Sequence, residues 1–303
     1  MRPLPLPCRL TRYLDGAARD LLQPPDGPAF DFATPAGEPA LVGPASLSWR
    51  IFKNPVSLFV GGVAAVILEL AEPRVRTGVW EHTSFRDRPG PRLQRTGLAA
   101  MVTVYGARSR AEAMIAGVVR AHERVRGTTP DGRPYRANDP VLLRWVQATA
   151  LWGFVTAYDR WVRPLRPADF DRLYAEGVTA ARLYGVADPP ASRAAVARLF
   201  RETAPTLEPS PIVTDFLRIV RAAPILPPPL RPLQPALVRA AVALVPEEVR
   251  AILALPPGWL PSAPERAVVR TAGALAERVV LPSGPAARSC LRLGLPADHL
   301  YRG

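Results

Sequence analysis

The sequence predicts an all-α fold built as a single large helical domain, and three observations carry that reading. Apolar residues recur at helical spacing through most of the chain. No stretch shows the strict alternation of a half-buried strand. Prolines and capping residues fall between the periodic stretches, where they open or close helices. Neither an internal repeat nor a heptad pattern competes with this reading.

Taken in order, residues 1–50 are punctuated by Pro and Gly and are expected to wrap over the surface, with a short helix at 10–22. Trp49-Arg50-Ile51-Phe52 opens the ordered domain. Residues 55–71, PVSLFVGGVAAVILELA, are apolar on almost every face, which means a helix buried on all sides or a membrane span. The run is too short to span and Glu69 interrupts it, so a core helix is expected and no membrane span.

Residues 81–92 read as a charged loop closed by Pro89-Gly90-Pro91, and 92–105 as a helix that Gly106 ends. Ser109, with Glu112 three residues on, is expected to form a capping box for the helix carrying His122. Residues 127–137 are a turn region. Asn138 or Asp139 then caps a long apolar helix whose first turn accepts Pro140. Trp145, Thr149, Trp152 and Thr156 or Tyr158 give that helix an aromatic-rich face suited to core packing. Amphipathic helices follow at 168–184 and 192–203, separated by Asp188-Pro189-Pro190, and a shorter one at 213–222. The segment 223–235 is a turn or polyproline connection. Helices at 237–245, 247–253 and 264–280 complete the chain. The expected division is an extension at 1–45, the helical domain at 46–255 and a Pro-rich helical extension at 256–303.

Composition narrows the function. The net charge of +13 invites a nucleic-acid partner, but the cations are nearly all Arg, Lys53 being the exception, and are scattered through an Ala- and Pro-rich chain. No nucleic acid is therefore expected. Cys8 and Cys290 lie at opposite ends with no C-x-x-C, which suits a reducing compartment. Prolines 3, 5 and 7 interrupt the amino-terminal apolar residues, so no signal peptide and a cytoplasmic location are expected. The nucleophile elbow, the phosphate-binding loop, the dinucleotide fingerprint and zinc-ligand spacing are all missing from the sequence.

What remains is a cluster of residue types between Leu68 and Gly127. Arg92, Arg95 and Thr96 stand at i, i+3 and i+4, one helical face. His122 and Arg126 are related in the same way. From the residues alone, His122 reads equally as a core histidine bonded to a carbonyl, and the Arg-rich stretch as a salt-bridged surface face. His82 suits a structural hydrogen bond, and His299, near the end, an exposed position.

The succession Leu68-x-Leu70-Ala71-x-Pro73, Gly78-Val79, Glu81-His82, Arg92-Leu93-x-Arg95-Thr96 and Arg120-x-His122-x-x-Val125-x-Gly127 resembles the MpaB/latex-clearing-protein (rubber oxygenase) domain. The likeness continues through Gly132-x-Pro134-Tyr135-x-Ala137-x-Asp139-Pro140 and Leu142-Leu143-x-Trp145-Val146, and covers about residues 40–255. The resemblance implies a helical domain with a globin-like core and a haem b-dependent oxygenase that acts with O2 on an apolar substrate, cleaving carbon–carbon double bonds in relatives. The haem is non-covalent, since no C-x-x-C-H motif is present. By the same likeness His122 is the iron ligand, Arg92, Arg95 and Thr96 are the catalytic cluster on bound dioxygen, and Arg120 and Arg126 are cofactor-binding.

Three departures stand out. Arg95 takes the place of a lysine, and a guanidinium cannot release its proton to ligate iron. Glu72 and Gln147 stand where relatives often carry histidine. They leave open a second reading, a non-catalytic helical binding or scaffold protein whose pocket takes an apolar ligand.

Overall fold

The computed structural model describes residues 3–22, 30–83, 85 and 88–302. It is all-α apart from one small hairpin. Two helices form its axis, α3 (Pro55–Ala71) and α7 (Pro140–Trp161). They cross at Gly61 and Gly153, where a Cβ on Gly61 would lie 2.7 Å from the Gly153 carbonyl oxygen. Glycine at both positions lets the two backbones touch, and the Trp145 indole N–H adds a bond to the Leu68 carbonyl at 3.2 Å.

Cap chemistry explains why many of the 37 prolines do not break helices. Asn54 precedes Pro55, Glu72 precedes Pro73, Asp139 precedes Pro140 and Ser210 precedes Pro211, each cap accepting backbone N–H bonds from the first turn. Proline at that position has no N–H to lose and a φ already set for helix.

Around the axis pack α1 (Cys8–Leu22), α2 (Leu47–Phe52), α4 (Pro73–His82), α5 (Pro89–Tyr105) and α6 (Arg108–His122). After α7 come α8 (Pro167–Glu176), α9 (Val178–Leu183), α10 (Arg193–Thr203), α11 (Pro211–Ala222), α12 (Gln234–Val242), α13 (Glu247–Ile252), α14 (Ala263–Ala276) and α15 (Pro285–Arg292). One core joins Val60, Ala64 and Ile67 of α3 to Trp145, Phe216 and Val238. A second joins Trp49, Tyr105, Ile115, Val155 and Tyr158.

α14 is locked to the axis from the other side. Gly273 packs against the Trp161 carbonyl. The Lys53 ammonium lies 2.6 Å from Glu277 Oε1, 2.8 Å from the Glu277 carbonyl and 4.6 Å from the Tyr301 ring centre. Tyr158 and Asn54 complete the Glu277 carboxylate at 2.7 and 3.0 Å. Among the described residues no single helix is long and apolar enough to cross a membrane; α3 and α4 together reach the length but bend by 110° at their junction.

Several expectations are corrected. The predicted absence of strands fails at β1 (Arg126–Thr128) and β2 (Pro134–Arg136), an antiparallel pair turned by Gly132, whose φ of 87° favours glycine. The loop expected at 81–92 is shorter, because α4 runs through His82 and α5 begins at Pro89. Ser109 does not cap α6: it sits inside the helix, and its N–H and hydroxyl donate to the Glu38 carboxylate at 2.6 and 3.0 Å. The helix expected at 168–184 is broken at Gly177, and α15 was not foreseen.

Candidate functional site

Three helix segments bring charged side chains to one place. Glu69 stands in the last turn of α3, Arg92 in the first turn of α5 and His122 at the end of α6. Glu69 is densely surrounded by protein yet keeps some accessible surface. Phe59, Gly62 and Val66, on the same stripe of α3, are half-buried in the same manner while the flanking Val60, Val63 and Ile67 are sealed. An apolar strip therefore leads along α3 to a single carboxyl group.

Electrostatics couple the three. Burial pushes the Glu69 carboxyl up to about 7, against the pull of Arg92. Burial lowers the pKa of Arg92; Glu69 opposes that shift and Arg95 adds to it. Burial and then the Arg92 charge lower the pKa of His122, while Asn138 beside the ring acts the other way. The imidazole is thus neutral at neutral pH, the form that ligates a metal.

The sequence-derived residues are placed unevenly. Arg92 Nη1 donates to the Thr96 hydroxyl, which also donates to the Arg92 carbonyl at 3.0 Å, so these two form a unit. Arg95 lies on the exposed side of the same turn. Arg126 does not share a helical face with His122, because α6 ends at His122 and Arg126 begins β1, exposed. Arg120 is also exposed, two residues before His122 and hence on the far side of α6. His82 has a structural partner: its Nε2 lies 3.0 Å from the Tyr135 hydroxyl, which donates to Glu81 at 3.0 Å. Gly127 lies against the Tyr135 ring where a Cβ would crowd it, at 2.6 Å from the hydroxyl. Glu72, noted as a departure, is buried as the α4 cap and pairs with Arg74 at 2.8 Å. An open hollow of about 330 Å³ beside it, between α7 and α10, is lined mainly by apolar side chains, Leu142, Trp145 and Leu199 among them, with Arg74, Arg144 and Asp188 also on its wall. Gln147 on α7 keeps a buried Oε1 with no hydrogen-bond partner.

Two residues the sequence undervalued belong to the site. Glu69 looked like an interruption in an apolar helix, and Asn138 like a helix cap. The signal for Glu69 was its isolation, a lone carboxylate in a run otherwise fit only for the core.

A haem fits these residues. Among the described residues no group of three or more His, Cys, Asp or Glu is placed to hold a bare metal ion. A porphyrin supplies four nitrogens of its own, so one neutral imidazole suffices on the protein side. The His122 Nδ1 is buried without a hydrogen-bond partner.

Comparison with curated proteins and with solved structures found no match. The family model described as the catalytic domain of ER-bound oxygenase mpaB/B′ and rubber oxygenase matches residues 49–278. That span takes in both axial helices and all three elements of the site, α3, α5 and α6. The chain therefore belongs to the MpaB/rubber oxygenase catalytic-domain family, an all-α oxygenase catalytic domain.

Proposed function

We propose that this chain is a haem b-dependent oxygenase acting with O2 on an apolar small molecule, with oxidative cleavage of a carbon–carbon double bond as the reaction class its family resemblance suggests. The observation that carries the reading is His122: a neutral imidazole at a helix end whose buried Nδ1 has no hydrogen-bond partner, beside the Arg92 cation that is itself coupled to the Glu69 carboxyl. When bound, haem supplies the iron chemistry that activates dioxygen.

The chain's own residues supply the rest. His122 would hold the iron. Arg92, held by Thr96, would stabilise negative charge that develops beside His122. Glu69, with a pKa near neutrality, holds or accepts a proton at its carboxyl oxygen. Phe59, Val66 and the α3 strip seat an apolar substrate and keep water out. Arg95 stays charged at the solvent side, and Arg120 and Arg126 lie outside this cluster, at the surface, where a cofactor's carboxylates would have to reach them. The expected setting is cytoplasmic.

The test is an absorption spectrum of protein made in cells supplied with a haem precursor, beside His122→Ala. A Soret band with stoichiometric haem in the parent, lost in the variant, supports the reading. A parent still colourless after haem is added to the folded chain overturns it in favour of a helical binding protein.

A further inference from the structure

We infer that the hollow between α7 and α10 is a binding site for a medium-chain monocarboxylate, a ligand with one anionic head and an unbranched apolar body. It stands apart from the site described above, since Glu69, Arg92 and His122 do not line it. The inference therefore does not rest on the oxygenase reading.

Two helix faces build the wall. Val141, Arg144 and Trp145 stand at i, i+3 and i+4 in the first two turns of α7, and Leu199, Glu202 and Thr203 follow the same spacing on α10. Trp145 and Leu199 are buried and give the hollow an apolar lining. Val141, at 63% exposure, is the most exposed large apolar side chain among the described residues, and a hydrocarbon chain in the hollow would cover it. The volume of about 330 Å³ falls at the lower end of ligand sites, about 300–1,000 Å³, which suits one chain of moderate length.

The charges on the wall differ in what they still lack. Glu72 accepts from Arg74 Nε at 2.8 Å and from the Val75 N–H at 2.9 Å, so carboxylate and guanidinium satisfy each other. Glu202 is half exposed and faces Arg198 at 3.7 Å. Arg144 is less well served. Its Nε is buried with no hydrogen-bond partner, and Asp188, its ion-pair partner, stands 3.6 Å from Nη2, too far for a hydrogen bond. The Asp188 side chain is 86% exposed and keeps its water, whereas that of Arg144 is only 26% exposed. A guanidinium carries five N–H groups, and a cation largely withdrawn from water needs acceptors to replace its hydration. A carboxylate supplies two, at the spacing of the planar fork. The apolar wall takes the rest of the ligand. An amine would meet Arg144 as a like charge, and an alcohol brings no charge to pair with it.

The experiment is isothermal titration calorimetry of the full chain at neutral pH, without haem, using octanoate, octanol and octylammonium as probes of one chain length. Octanoate is expected to bind at least about tenfold tighter than either of the others, the factor that a hydrogen bond to a charged group contributes. Arg144→Met keeps an apolar stem without the charge, and is expected to bind octanoate no tighter than octanol. Val141→Glu puts a like charge on the exposed rim, and is expected to weaken octanoate at least about tenfold. Should Arg144→Met not fold, Val141→Glu decides, because position 141 is at the surface. No heat from octanoate in the parent overturns the inference, as does equal affinity for octanoate and octanol. Octanoate binding that stays within about twofold of the parent in the folded variants also overturns it, by assigning the acid to another surface. With no haem present, none of these outcomes touches the oxygenase reading, which its own absorption spectrum decides.

Discussion

Glu69 of α3 and Arg92 of α5 act on each other's charge, and the guanidinium does not bring the carboxyl back to its ordinary range. Desolvation wins over the ion pair. The pair is therefore poised near neutrality and is not locked as carboxylate and cation.

A pH dependence follows. The Glu69 pKa in the folded chain is about 7, above its ordinary 4.5. Its contribution to stability is fully kept below the unfolded value and is lost as pH rises through the folded one, because the unfolded chain ionises first. Glu69→Gln is expected to leave stability unchanged below that window and to raise it by up to about 3 kcal/mol above it. Urea unfolding at acidic and alkaline pH checks this; a gain confined to the acidic side contradicts it.

Gly153→Ala is expected to be severe. The added methyl would meet the Gly61 carbonyl, and neither axial helix has slack at the crossing. A loss of about 3 kcal/mol or more is expected from forcing the pair apart. The check is the denaturation midpoint at unchanged slope.

Lys53→Met leaves Glu277 without its cation, both side chains being almost wholly buried at 2% and 5% exposure. A loss of about 3–5 kcal/mol is expected for the single change. Most of it should return in Lys53→Met with Glu277→Leu, which removes the stranded charge. Lys53→Arg should not rescue, since a planar fork cannot meet two oxygens and a ring face in the place of a compact ammonium. Thermal unfolding of the three variants distinguishes these outcomes.

Tyr135→Phe removes the hydroxyl that links His82 and Glu81. About 1–2 kcal/mol is expected to be lost. The loss should be local, so amide exchange at Thr129 and Ala137 should quicken more than exchange in α3.

The helical class and the axial helices were legible because their ends are written locally. Asn54-Pro55 and Asp139-Pro140 each place a cap beside a permitted proline, and α3 and α7 start there. Where the cap comes from afar, local reading failed: Ser109 has the right neighbours, but Glu38, 71 residues away, takes the donors. β1 is three residues long, too short to show alternation. In the candidate site, motif and spacing singled out Arg92, Thr96 and His122, and the structure bonds Arg92 to Thr96 and sets its charge near His122. Arg126 was misjudged because the helical period was carried one turn past the end of α6. Glu69 has its meaning only in three dimensions, from its burial and from the Arg92 charge that α5 brings near it.

Lys53 is the chain's sole lysine, and it is sealed beneath α14 and Tyr301. Apart from the α-amino group, the folded molecule thus offers amine-reactive reagents nothing to acylate. Each additional label records one molecule that opened between α2 and α14. Cleavage by a lysine-specific protease would mark the same event as a single cut at residue 53, so the protein carries a built-in, single-site clock for its own opening.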